Sequence, residues 1–237
     1  MGRIFEKRKD RMFARWAKNA KAFTKIGKEI AIAVKLGGGD PDGNPRLRMA
    51  IQTARSLNMP KDRVIAAITR ATSKDEASLE EVVYEGYAPH GVAIVVLTAT
   101  NNATRTVGNV RSVITHHNGT LGTTGSLAYI FDRRGVFVVE APKGNLDDFE
   151  LEMIDHGMED IFEGDEGLLL YTSFEGFGTL QKALEERKIE VKSAALQYQP
   201  KNILAVSAEH QAEIESLIGQ LEEDDDVQHV YHNMKVD

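Results

Sequence analysis

The chain contains no cysteine, a single tryptophan and only six prolines in 237 residues. The missing thiols exclude a disulfide framework and any thiolate zinc site, and they fit a reducing compartment. Long apolar runs are missing as well. None approaches the roughly 18–20 residues that a membrane-spanning helix needs, so no membrane partner is expected. The opening MGRIFEKRKDRMFARW lacks the apolar segment of a secretory signal. It is Arg-rich, but Glu6, Asp10 and the lack of serine speak against a mitochondrial presequence. A cytoplasmic location is the resulting expectation. Catalytic signatures are also wanting: there is no HExxH, no GxSxG elbow and no GxGxxG fingerprint, and the seven histidines are scattered. His229 and His232 lie three apart on an expected strand, hence on opposite faces. The residues therefore specify no enzyme, cofactor, metal site or small-molecule substrate.

What the chain does have is segregated charge. The whole carries a net −7. Residues 1–75 hold 18 Lys+Arg against 7 Asp+Glu, a net of +11, and residues 76–237 hold 11 against 29, a net of −18. A basic segment of that size repels itself unless something offsets it. Phosphates are one counterpart, through charge-assisted contacts and counterion release, and the acidic remainder of the chain is the other. The apolar fraction of 42% is ample for packed cores.

Periodicity divides the chain at the same place. From Arg11 to Leu36 the pattern is helical, with Phe13, Trp16, Ala20, Phe23, Ile30 and Val34 on one side and Arg11, Lys18, Lys21, Lys25 and Lys28 on the other. Gly37–Gly39 stops that helix, and Asn44-Pro45 starts a second as N-cap and first-turn proline. The second helix buries Leu47, Ile51 and Ala54 and shows Arg48 and Arg55; a third, after Met59-Pro60, buries Val64, Ile65 and Ile68 and shows Arg63 and Arg70. The candidate nucleic-acid-binding residues are thus Lys18, Lys21, Lys25, Lys28, Arg48, Arg55, Arg63 and Arg70. SKDEASLEE, where the charge changes sign, marks the end of this basic helical domain, residues 1–75.

Beyond it strands and helices alternate. Gly91–Ala99, Leu127–Phe131, Asn202–Val206 and Val227–His232 read as strands, with helices at Asn102–His116 and Glu209–Leu221. Across the intervening gap they give two β-α-β runs, the order of a ferredoxin-like split βαβ sandwich. The gap repeats the plan, with strands at Val136–Glu140, Asp160–Phe162, Leu168–Thr172 and Glu190–Leu196 and helices at Leu146–His156 and Phe177–Glu186. The expected fold class is α/β (α+β): an N-terminal three-helix domain followed by two ferredoxin-like α/β sandwich domains, one nested in the other. The limits are 76–134 plus 197–237 for the outer domain and 135–196 for the inserted one. Arg133 and Arg134 fall at an expected turn of this acidic body.

Four further segments invite chemistry. LGGGDPDGNP lacks the Lys-Thr/Ser of a phosphate loop. As a calcium loop it offers Asp40, Asp42 and Asn44, but Pro45 and Ile51 stand where Gly and Glu belong, so a helix stop and start is the better account. HHNGTLGTTGS (His116–Ser126) is either an anion nest of exposed N–H groups or, the favoured choice, a glycine-rich turn. EGYAPHG (Glu85–Gly91) is taken as a structural turn, and EEDDD (Glu222–Asp226) as a solvated helix end.

Long stretches of the chain resemble a known family. FTKIGKEIAIAVKLGGGDPDGNPRLRMAI (Phe23–Ile51), VYEGYAPHGVAI (Val83–Ile94), NNATRTVGNVRSVITHHNGTLGTTGSLAYIF (Asn101–Phe131) and DDVQHVYHN (Asp225–Asn233) are similar to the signature stretches of the YebC/PmpR family. The family's opening Gly-His-Ser-Lys-Trp run is replaced by GRIFEKRKDRMFARW, with Trp16 as the counterpart of its tryptophan. The resemblance implies a helical N-terminal domain and two α/β domains. It implies a cytoplasmic, DNA-binding transcriptional regulator, or else, as for a mitochondrial translational activator of the same fold, a ribosome-associated translation factor that binds rRNA. It supplies no active-site residues. No coiled coil or other dimerising element is visible to match a palindromic operator, so a monomer is favoured.

Overall fold

A computed structural model describes the backbone of residues 2–73, 79–142, 144–164 and 167–235, and side chains from Ala20 onward within those ranges. Three helices come first: α1 (Gly2–Gly37), α2 (Pro45–Ser56) and α3 (Lys61–Thr72). The first is longer than the expected Arg11–Leu36. Its amphipathic half packs Ile26, Ile30, Ala33 and Val34 against Leu47, Ala50, Ala54, Val64 and Ala67. In α3 the buried position next to Val64 is Ala67, while Ile65, expected inward, is 50% exposed.

The junction between α1 and α2 is built as a helix stop and start. Gly38 adopts φ +85°, a left-handed angle that ends α1. Asn44 is buried; its Oδ1 accepts from the Leu47 amide at 3.1 Å, and its Nδ2 donates to the carbonyls of Ala33 (2.7 Å) and Gly38 (2.8 Å). One side chain therefore caps the start of α2 and ties down the end of α1. A Cβ on Gly37 would sit 2.7 Å from the Asn44 amide carbon, so the cap needs glycine there.

Two four-stranded sheets follow. The first comprises β1 (Glu80–Tyr87), β2 (Ala93–Thr100), β3 (Thr120–Leu121) and β8 (Val227–His232), in the order β3-β1-β2-β8, with α4 (Ala103–His116) and α7 (Ala208–Glu223). The second comprises β4 (Phe131–Val139), β5 (Met158–Gly164), β6 (Gly167–Ser173) and β7 (Val191–Pro200), in the order β5-β6-β4-β7, with α5 (Leu146–Asp155) and α6 (Phe177–Glu186). Both have the ferredoxin-like spatial order. In the second sheet the chain visits the positions in the usual β-α-β-β-α-β sequence. In the first, the third-strand position is filled by β1, which enters from the N-terminal side.

That entry corrects two expected strands. Asn202–Val206 contributes only a single bridge, Leu204 to Met234. Leu127–Phe131 is a turn up to Ile130, with β4 starting at Phe131. Leu127 and Ile130 are apolar because they plug the face of the first sheet opposite its helices, against Ala93 and Val95. With helices on one side and this plug on the other, every residue of β2 is buried. β1 carries little sequence signal for a strand: EEVVYEGY has neither period-2 alternation nor a long apolar run.

All the elements of the second sheet lie between β3 and α7 in the chain. The limits 135 and 196 fall inside β4 and β7, whose outer ends pair Phe131 with Pro200. Entry and exit are thus adjacent, the geometry that an insertion tolerates. Replacing residues 131–200 with a short Gly/Ser linker is therefore expected to leave a cooperatively folded remainder, measurable by chemical denaturation. It should be less stable than the full chain, because Met49 of α2 is buried in the second sheet's core and would become exposed. Loss of cooperative unfolding would show that the two sheets fold as one.

Candidate nucleic-acid interface

Of the eight basic residues singled out by the sequence, those with described side chains are not presented on one continuous face. The side chain of Lys18 lies outside the described residues. Lys25 and Lys28, one turn apart on α1, point at the acidic body. Lys25 Nζ lies 3.4 Å from the carbonyl of Gln228 on β8, and burial lowers its pKa. Lys28 Nζ donates to Asp226 Oδ1 at 2.6 Å and to the carbonyls of Asp225 (2.9 Å) and Ala99 (3.1 Å). Arg48 donates to Glu185 on α6 at 3.0 Å and to the carbonyls of Pro41 and Asp42. These three cations are struts, offset by the protein's own acids and carbonyls.

Asp226, at the end of a run expected to be solvated, is the hub of the first strut. It is 6% exposed. Its Oδ2 accepts from Arg105 Nη2 at 2.6 Å and lies 2.9 Å from Thr106 Oγ1 and 3.2 Å from Thr100 Oγ1. Burial opposes its ionisation, but the hydrogen bonds from Lys28, Arg105 and Thr106 and the Lys28 charge outweigh that and bring its pKa down to about 2. Nothing local in EEDDD marks its last member. The signal is the strand beginning at Val227, which turns Asp226 in under α4 and α1.

A second ionic chain joins α1 and α2 to both sheets. Arg46 of α2 donates to Glu29 of α1 at 2.8 Å and pairs with Glu81 of β1. Glu81 also accepts from Arg133 of β4 at 3.0 Å. The Arg133 guanidinium sits 4.5 Å over the Phe174 ring, and Arg134 donates to Asp160 at 3.0 Å. Arg133 and Arg134 are therefore paired residues within a strand and not, as expected, members of a free turn.

The glycine-rich segment after α4 is likewise occupied. The Glu85 carboxylate accepts from the amides of Gly125 (2.8 Å) and Leu127 (2.6 Å), and the Gly122 amide donates to the Glu85 carbonyl at 2.8 Å. Its N–H groups do hold an anion, but the anion is a side chain of the same protein. Crowding requires Gly119, whose Cβ would sit 2.6 Å from the Tyr87 carbonyl oxygen, and Gly86 of the facing β1, whose Cβ would sit 2.5 Å from that of Thr120, while Gly125 adopts φ +84°.

Lys21, Arg55, Arg63 and Arg70 remain. Lys21 is half-exposed; the three arginines are exposed and make no ion pair among the described residues. Arg63 and Arg70 rim a groove between α1 and α3 of about 420 Å³. Its walls and floor include Phe23, Gly27, Ala31, Met59 and Ala66, and the stem of Lys28 borders it. The Arg63 guanidinium lies 5.9 Å from the centre of the Phe23 ring. Arg55 stands apart, in the last turn of α2. Among the described residues no group of three or more His, Asp or Glu is placed to hold a metal ion, and no helix is long and apolar enough to cross a membrane.

The same plan occurs in a solved structure. A conserved hypothetical protein from Aquifex aeolicus superposes with a TM-score of 0.80 at 37% identity, over 92% of this chain and 91% of that one. Two proteins named as probable transcriptional regulatory proteins are similar along their whole length. One from Anaeromyxobacter dehalogenans is 54% identical, over 99% of this chain and 100% of the relative. One from Flavobacterium johnsoniae is 48% identical, over 99% of each. The family models for the N-terminal domain and for the second and third domains of TACO1/YebC proteins match residues 3–74 and 79–234. Helices, sheets and sequence agree, and the chain belongs to the TACO1/YebC family.

Proposed function

We propose that this protein is a non-enzymatic regulator that binds nucleic acid through its helical N-terminal unit, with DNA as the target and transcription as the process regulated. The observation that carries the reading is the division of its cations. Lys25, Lys28 and Arg48, like Arg46, are held by partners inside the molecule, while Arg55, Arg63 and Arg70 are exposed and make no ion pair among the described residues, on a segment of net charge +11. Exposed guanidinium groups that no carboxylate neutralises are the groups that phosphates bind with release of counterions. The names of the relatives, as probable transcriptional regulatory proteins, support the DNA target.

One observation favours a second reading, that of a ribosome-associated translation factor. With Lys25 and Lys28 turned onto the body, the described half of α1 offers no continuous basic face to lay in a major groove. A groove rimmed by arginines suits the irregular surface of folded RNA better. Crosslinking in growing cells separates the two. Enrichment of promoter fragments is the expected result; recovery of rRNA in their place would transfer the protein to translation, and recovery of neither would end both readings.

A further inference from the structure

The groove between α1 and α3 has a chemistry of its own. Its volume of about 420 Å³ lies in the range of small-molecule sites. One wall carries the half-buried ring of Phe23; Met59, Ala31 and Ala67 complete an apolar floor, and Arg63 and Arg70 stand at the rim. A largely apolar groove beside an aromatic ring, with cations at its mouth, is complementary to a base joined to its phosphate. An apolar side chain of a protein partner would fit the slot, but it would not answer the guanidinium groups.

Gly27 strengthens the case. Glycine inside a helix costs roughly 0.5–1 kcal/mol relative to alanine. A Cβ built on Gly27 would meet no atom within 4 Å, so packing does not demand glycine there. Its missing side chain leaves the groove open.

We propose that this groove receives an unstacked base of single-stranded nucleic acid, with Phe23 stacking on the base and Arg63 and Arg70 holding the flanking phosphates. The proposal rests on the nucleic-acid-binding reading above and adds to it that part of the ligand is unpaired. Duplex contacts by the outer arginines are compatible with it. Lys28 borders the groove but stays on Asp226, so the phosphates are left to the two arginines.

Fluorescence anisotropy with the full chain at fixed low salt tests this, using three probes of equal length: a single strand of mixed sequence, the same strand with central abasic sites, and a duplex. Wild type should bind the intact strand about tenfold or more tighter than the abasic one, as loss of one base–aromatic stack implies. Gly27→Leu fills the groove without touching a charge, and Ala66→Leu does so from α3. Each should bring intact and abasic strands to the same affinity and leave duplex binding and its salt dependence unchanged, with helicity checked by circular dichroism. Phe23→Ala should act in the same direction. Equal affinity of wild type for intact and abasic strands, or leucine variants that still prefer the intact strand, would overturn the proposal while duplex binding left the functional reading standing. Failure to bind any of the three probes would remove both.

Discussion

Asp226→Ala is expected to destabilise the protein by about 3 kcal/mol, because it strips the partner from a largely buried lysine and frees Arg105, Thr100 and Thr106 as well. Asp225→Ala, one residue earlier and exposed, is expected to stay within about 0.5 kcal/mol of wild type. Chemical denaturation of the two variants in parallel makes the comparison. The difference between wild type and Asp226→Ala should also depend on pH. The carboxyl is held below its ordinary 3.8, at about 2, so its stabilisation is fully present above pH ~4 and is lost as the pH falls through 2. That linkage is worth about 2 kcal/mol, so most of the stability gap should close between pH 4 and pH 2. Equal stability of the two alanine variants at neutral pH would show that Asp226 does not secure the helical unit to the first sheet. Pairing Asp226→Leu with Lys28→Met removes both charges together, and is expected to recover part of the loss.

The three helices were legible because their punctuation is local. Gly38 ends α1 and Asn44-Pro45 starts α2 through backbone angles and one side chain, all within ten residues. The second sheet was legible for a similar reason: its strands and helices alternate in simple order, and only their ends were misplaced. The first sheet was legible only in part: β2, β8 and both helices were expected, but its third position is filled by β1, a strand that precedes the rest of the unit in the chain. Apolar residues at Leu127 and Ile130 pack flat against a sheet face without joining it. Sequence reports burial there but not pairing.

The site was legible in composition and illegible in direction. Charge counting located the basic unit, and helical periodicity separated Lys25 and Lys28 from the apolar stripe, but it could not show that their side of α1 lies against β2 and β8. That contact is made to residues roughly 70 and 200 positions away. Glu85 shows the same limit. An anion nest was conceivable from Gly119, Gly122 and Gly125, and its occupant sits some 40 residues upstream on β1.

The division of the cations into inward struts and an outward anion-binding face is tested most directly by the salt dependence of nucleic-acid affinity in two variants. In the first, Arg55, Arg63 and Arg70 become Gln, which keeps good helix formers at exposed positions. In the second, Lys25 and Lys28 become Gln. If each exposed arginine neutralises about one phosphate, the log–log slope on duplex DNA should become shallower by about 2–3 in the first variant, and by slightly less on a single strand. The second should keep the wild-type slope while losing stability to denaturant. An unchanged slope in the arginine variant, together with a shallower one in a stable lysine variant, would contradict the division and return the binding face to the α1 stripe.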